Sequence, residues 1–114
     1  VTFRSPSRDS VTLRSTGGNV ITLLGADYVA FENMSIRMDG SSGFTVNITG
    51  QADHNRLENC HIYNNTSVTS TASNPICISG STTSYSTSGK NGHYNEFIDN
   101  DIEGGYMAAT IWGN

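Results

Sequence analysis

A two-part motif returns along this chain, and its spacing leaves few architectures open. The first part is apolar-x-apolar-x-Gly, found as Ile21-Thr-Leu23-Leu-Gly25, Val46-Asn-Ile48-Thr-Gly50, Ile76-Cys-Ile78-Ser-Gly80 and Ala109-Thr-Ile111-Trp-Gly113. Its glycines step by 25, 30 and 33 residues. The second part is apolar-x-Asn/Asp-x-x-Ile, found as Phe31-Glu-Asn33-Met-Ser-Ile36, Leu57-Glu-Asn59-Cys-His-Ile62 and Phe97-Ile-Asp99-Asn-Asp-Ile102, each following a copy of the first. Self-similarity at such a period is the signature of a stacked-repeat architecture.

Composition decides what the repeats are made of. Ser, Thr, Asn and Gly account for 52 of 114 residues and charged residues for only 14%. Long helix-forming runs are absent while Val-Thr, Ile-Thr and Phe-Thr alternations recur, which points to short strands and many turns. Strands of this kind, returning in one register along the chain, fit an all-β solenoid whose coils stack about 4.8 Å apart through parallel ladders. A sandwich would need hairpins, and Asn-Gly occurs only at Asn91-Gly92, inside a polar stretch. The wider spacings come from polar low-complexity insertions near 65–74 and 81–93, expected as protruding loops on a single domain spanning 1–114.

The period-2 rule then assigns side chains. Ile21, Leu23, Val46, Ile48, Ile76, Ile78 and Ile111 point inward as aliphatic columns, Phe31, Leu57 and Phe97 form another column, and Ile36, Ile62 and Ile102 a third. Asn33, Asn59, Asp99 and Asn100 occupy the bend between strands, where Asn tolerates a left-handed backbone and passes amide hydrogen bonds from coil to coil. The glycines that close the first motif are expected to supply positive φ. Val1-Thr-Phe-Arg and Val11-Thr-Leu-Arg read as the tail of an earlier coil. The chain starts at Val1 inside a strand and stops just after another, so it is expected to be a piece of something longer.

The segments Gly25-Ala-Asp-Tyr-Val-Ala-Phe-Glu-Asn-Met-Ser-Ile36, His54-Asn-Arg-Leu-Glu-Asn-Cys-His-Ile62 and Asn95-Glu-Phe-Ile-Asp-Asn-Asp-Ile102 carry a resemblance over most of residues 11–114. The pattern resembles the right-handed parallel β-helix of the pectate-lyase-like superfamily, in particular repeat regions of secreted and surface proteins from bacteria. The resemblance implies three to four coils and a secreted or cell-surface location. It leaves the activity open, because that architecture hosts lyases, hydrolases, esterases, epimerases, tailspikes and adhesins.

Lyases of the superfamily commonly use acidic calcium ligands and a basic residue, and the hydrolases clustered aspartates, so outward carboxylates come first. Aligning the second motif places Ser35, His61 and Asp101 in one outward column and Arg37, Tyr63 and Glu103 in the next. His61 beside Asp101 is the best acid/base pair, the candidate catalytic residues of this chain. Asp99, Asp101 and Glu103 alternate as calcium ligands would, but Asp99 belongs to the turn ladder. No metal site is therefore assigned, and calcium is the one cofactor kept open. Cys60 is expected inward and Cys77 outward, unpaired on opposite sides of the wall, and with the three histidines they match no zinc spacing. For sugar contact the candidates are Trp112, Tyr63 and Tyr106, with Tyr85 and Tyr94 in or beside loops.

A charge of −4 with six scattered basic residues offers no stripe for a nucleic acid, and no apolar run approaches the roughly 18 residues of a membrane helix. The expectation is a non-catalytic structural or carbohydrate-contacting segment with polysaccharide as partner. A polysaccharide lyase or glycoside hydrolase is the alternative. A self-associating adhesin-type module is a third reading, because uncapped ladder edges at residues 1–5 and 109–114 should pair with another copy.

Overall fold

The structure, a computed structural model, describes residues 1–89 and 91–113. It is all-β, with no helix among the described residues. The twelve strands are three or four residues long: β1 (Thr2–Arg4), β2 (Thr12–Ser15), β3 (Ile21–Leu24), β4 (Ala30–Glu32), β5 (Ser35–Met38), β6 (Val46–Thr49), β7 (Arg56–Glu58), β8 (His61–Asn64), β9 (Ile76–Ile78), β10 (Glu96–Ile98), β11 (Asp101–Glu103) and β12 (Ala109–Ile111). They enter three four-stranded parallel sheets in rotation. Sheet A is β1-β4-β7-β10, sheet B is β2-β5-β8-β11 and sheet C is β3-β6-β9-β12. Each triplet of consecutive strands therefore lies on the one before it, as in a parallel β-helix. The segments around Val1 and Val11 contribute the edge strands of sheets A and B.

Register holds without a slip, so like meets like. Phe3, Phe31, Leu57 and Phe97 align in sheet A, Leu13, Ile36, Ile62 and Ile102 in sheet B, and Leu23, Ile48, Ile78 and Ile111 in sheet C. The Phe3 and Phe31 rings stack at 5.1 Å. Ile36, Ile48, Leu57 and Ile62 in the middle triplets are fully buried, each worth about 1.5–3 kcal/mol of burial. Phe3, Ile102 and Ile111 occupy the same columns on the edge triplets and are 51%, 41% and 73% exposed, since no strand covers them.

Two corners recur. The one entering sheet A places Tyr28, His54 and Tyr94 at φ of 56°, 57° and 58°, and the one entering sheet B places Asn33, Asn59 and Asp99 at 57°, 51° and 52°. Asn59 Nδ2 donates to Asn33 Oδ1 at 2.9 Å, the expected ladder bond. Asn100 belongs to the adjacent inward column instead. Its Oδ1 accepts from Cys60 N–H at 2.9 Å and its Nδ2 donates to the Leu57 carbonyl at 3.0 Å. Positive φ holds at Gly25 and Gly50 but not at Gly80 or Gly113. At Gly80 the constraint is a close backbone approach, because a Cβ there would lie 2.4 Å from the Ser88 carbonyl oxygen. The long insertions also differ from expectation. Residues 65–75 bury Ser73 and Asn74, and the segment after β9 lies against the outward face of sheet C rather than protruding.

Candidate functional site

The corner entering sheet A builds an exposed ring stack. Tyr28 and His54 are 4.7 Å apart at 3°, and His54 and Tyr94 are 4.8 Å apart at 15°. A left-handed residue at a corner projects its side chain away from the core, and stacking places successive ones a single ladder spacing apart. That conformation costs about 1–2 kcal/mol for a residue with a Cβ, which the offset ring contacts and the corner's backbone bonds oppose. Tyr28 N–H donates to the Asp53 carbonyl at 3.1 Å and His54 N–H to the His93 carbonyl at 3.0 Å. Asp27 Oδ1 accepts from Asp53 N–H and Asp53 Oδ1 from His93 N–H, both at 2.7 Å.

Behind the rings the next column is Val29, Asn55 and Asn95, of which Asn55 is buried and the other two half-buried. Asn55, 1% exposed, accepts from Val29 N–H at 2.9 Å and donates to the Ala26 carbonyl at 2.7 Å, while Asn95 accepts from Asn55 N–H and donates to the Ala52 carbonyl. These amides replace backbone partners where the ladder turns and hold the corner rigid. A shallow groove of about 270 Å³ runs beside the stack, with Arg56 and Glu96 on its wall. Tyr28 and Tyr94 are 65% and 75% exposed. The corner thus offers phenol and imidazole edges in a row, a cation and a carboxylate within one groove: donors and acceptors suited to a polyhydroxylated chain.

The outward face of sheet B holds the expected catalytic pair in the expected register, with Asp101 opposite His61 and Glu103 opposite Tyr63. The side chains pair differently. His61 Nε2 lies 3.1 Å from Glu103 Oε2, and Asp101 is taken by Arg8 Nη1. Arg8 arrives from the loop after β1 and also donates to Asn59 Oδ1 at 2.6 Å and to the Asp99 carbonyl at 3.0 Å. Among the described residues no three metal-ligating side chains converge, at Asp99, Asp101 and Glu103 or elsewhere. Tyr63 lies under the Arg37 guanidinium, 4.1 Å from its ring centre.

Trp112, Tyr63 and Tyr106, expected as sugar contacts, lie on separate elements. Tyr63 is in β8, Tyr106 in the turn between β11 and β12, and Trp112 just past β12. Trp112 meets the Tyr85 ring edge-on at 6.5 Å and donates from Nε1 to Ser88 Oγ at 3.2 Å. A separate ring stack contains His54, and its spacing is readable in the sequence: Tyr28, His54 and Tyr94 each lie five residues before Asn33, Asn59 and Asp99.

Two carboxylates carry shifted proton affinities, and both are ion-paired. Glu32 lies between Arg4 Nε at 2.5 Å and Arg56 Nη2 at 2.6 Å, and these hydrogen bonds, Arg4's foremost, hold its carboxyl below the usual range against partial desolvation. Asp39 bridges Arg37 at 3.0 Å and Arg14 at 2.5 Å, and the Arg37 bond chiefly lowers it in the same way. Both stay ionised at neutral pH as fixed counterions. Cys60, in the core, and Cys77 are free thiols, and burial pushes the Cys60 thiol up.

No family model matches this chain, and neither a curated protein nor a solved structure matches it.

Proposed function

We propose that this chain is a four-coil, right-handed parallel β-helix of the pectate-lyase-like kind, from a secreted or bacterial surface protein, which holds polysaccharide without cleaving it. The right hand follows from the strong preference of parallel crossover connections. The observation that carries the functional reading is the exposed Tyr28–His54–Tyr94 stack beside the Arg56 and Glu96 groove. A glycan lying along the corner would meet ring edges at each coil, and its hydroxyls or carboxylates would meet Arg56. The non-catalytic reading draws on the arginine pairing of Glu32, Asp39 and Asp101, which engages these carboxylates within the chain.

The test is electrophoresis of the intact chain through gels containing polygalacturonate or a neutral glucan. Retardation that Tyr94→Ala removes without changing the circular dichroism spectrum is expected. Unretarded migration in both gels overturns the reading.

One observation favours a lyase or hydrolase instead: His61 touches Glu103 at 3.1 Å on a face that also carries Asp101, Arg8 and Arg37. That reading requires cleavage that His61→Ala abolishes. Self-association draws on the exposed column residues Phe3, Ile102 and Ile111, and light scattering of the wild-type chain decides it.

A further inference from the structure

The outward face of sheet C is covered although its side chains are polar. Asn47, Thr49, Cys77 and Ser79 point away from the core yet are buried. Against this face lies the segment 80–89, rich in Ser and Thr. It is attached by a few contacts: Asn19 Nδ2 to the Thr82 carbonyl at 2.8 Å, Asn47 Nδ2 to the Ser81 carbonyl at 3.3 Å, Ser79 Oγ to the Ser84 carbonyl at 2.6 Å, Trp112 Nε1 to Ser88 Oγ at 3.2 Å and the Tyr85 ring edge-on to Trp112. The fit is incomplete, since Asn47 Oδ1 and Thr110 Oγ1, which flank Cys77 in one column of this face, are buried without a partner. A buried acceptor left unpaired costs about 1–3 kcal/mol, so the closed arrangement is weakened where it touches the sheet.

The ends of the segment meet at a narrow neck. Gly80 N–H donates to the Thr87 carbonyl at 2.7 Å, and a Cβ on Gly89 would lie 2.7 Å from Gly80 Cα. Only glycines allow this approach, and a loop closed at its own neck can move as a unit without drawing on the strands that flank it.

We propose that residues 80–89 form a strap that lifts from sheet C while the coil stack stays folded, uncovering a polar strip built on Asn47, Cys77 and Thr110. Raising the strap returns Asn47 Oδ1 and Thr110 Oγ1 to water and breaks a few polar bonds and the Tyr85–Trp112 ring contact. It leaves the columns of Ile48 and Ile78 in place. Opening of this kind belongs to the low free-energy end of native fluctuations, well below global unfolding.

The two free thiols read this out within one molecule. Cys60 reacts only when the core opens, and Cys77 when the strap lifts. The experiment is iodoacetamide alkylation of the native wild-type chain followed by peptide mapping, each rate normalised to that of the urea-denatured chain so that intrinsic thiol reactivity cancels. Cys77 is expected to react at least about tenfold faster than Cys60. Gly80→Ala, which forces the neck apart at the Ser88 carbonyl, should accelerate Cys77 further and leave Cys60 unchanged. A single common rate for both cysteines overturns the proposal. So does a fast Cys77 that Gly80→Ala leaves unaltered, because the thiol would then be reached by another route.

Discussion

The two recurring corners use the same backbone conformation for opposite ends. At the corner entering sheet B, Asn33, Asn59 and Asp99 turn left-handed, the amides bond to each other, and Arg8 closes over them. At the corner entering sheet A, Tyr28, His54 and Tyr94 turn the same way, and their rings stack in the open. In both, the following position points inward and, where it is Asn, completes the backbone bonding of the neighbouring triplet, as Asn55, Asn95 and Asn100 do. Cohesion therefore resides in the inward amide. The outward residue is free to be either a tie or a display.

Breaking the inward amide should have the largest effect. Asn55→Ala orphans Val29 N–H and the Ala26 carbonyl and should lower stability by about 2–4 kcal/mol in urea unfolding, with the ring corner disordered as well. Acidification comes next. Because the folded pKa values of Glu32 and Asp39 are lowered, their contribution is fully present above the ordinary carboxylate range and is lost as pH falls through it toward the folded values. The melting temperature should drop over that interval, and Asp39→Asn or Glu32→Gln should flatten the acid limb. At the outward position Asn59→Ala should cost about 1–2 kcal/mol, and Asn59→Gly should recover the backbone share because glycine accepts positive φ. Tyr94→Ala is expected to change stability by less than about 1 kcal/mol, since its side chain is exposed, while removing polysaccharide retention. An equal loss of stability at Asn55 and Tyr94 would erase the distinction between the two kinds of position.

Much of this arrangement was legible in the sequence, for a definite reason. A ladder in zero-slip register turns sequence alignment into spatial contact, so the columns of Ile36, Ile62 and Ile102, the Asn33–Asn59 bond and the juxtaposition of His61 with Asp101 follow from spacing alone. Side-chain choice within a column does not follow. His61 reaches diagonally to Glu103 because Arg8, some ninety residues away in sequence, has taken Asp101. The ring stack does not follow from the motif because Tyr28, His54 and Tyr94 each lie three residues before its apolar position, where side-chain types differ from coil to coil. The strap was read as protruding because a polar loop on a polar face leaves no hydrophobic signal. Cys77 accordingly faces outward as the alternation requires and is nonetheless buried.

Stacked repeats ordinarily gain stability from nearest neighbours alone, so either end can fray one unit at a time. Arg8 departs from that arithmetic. Rooted in the first triplet, it contacts Asn59 in the third and Asp99 and Asp101 in the fourth, while its own carbonyl accepts from Ser35 Oγ in the second. One guanidinium thus ties the two ends of a linear array into a circuit. Peeling from either edge must break the same clasp, which favours loss of the array as one cooperative unit over unravelling in steps.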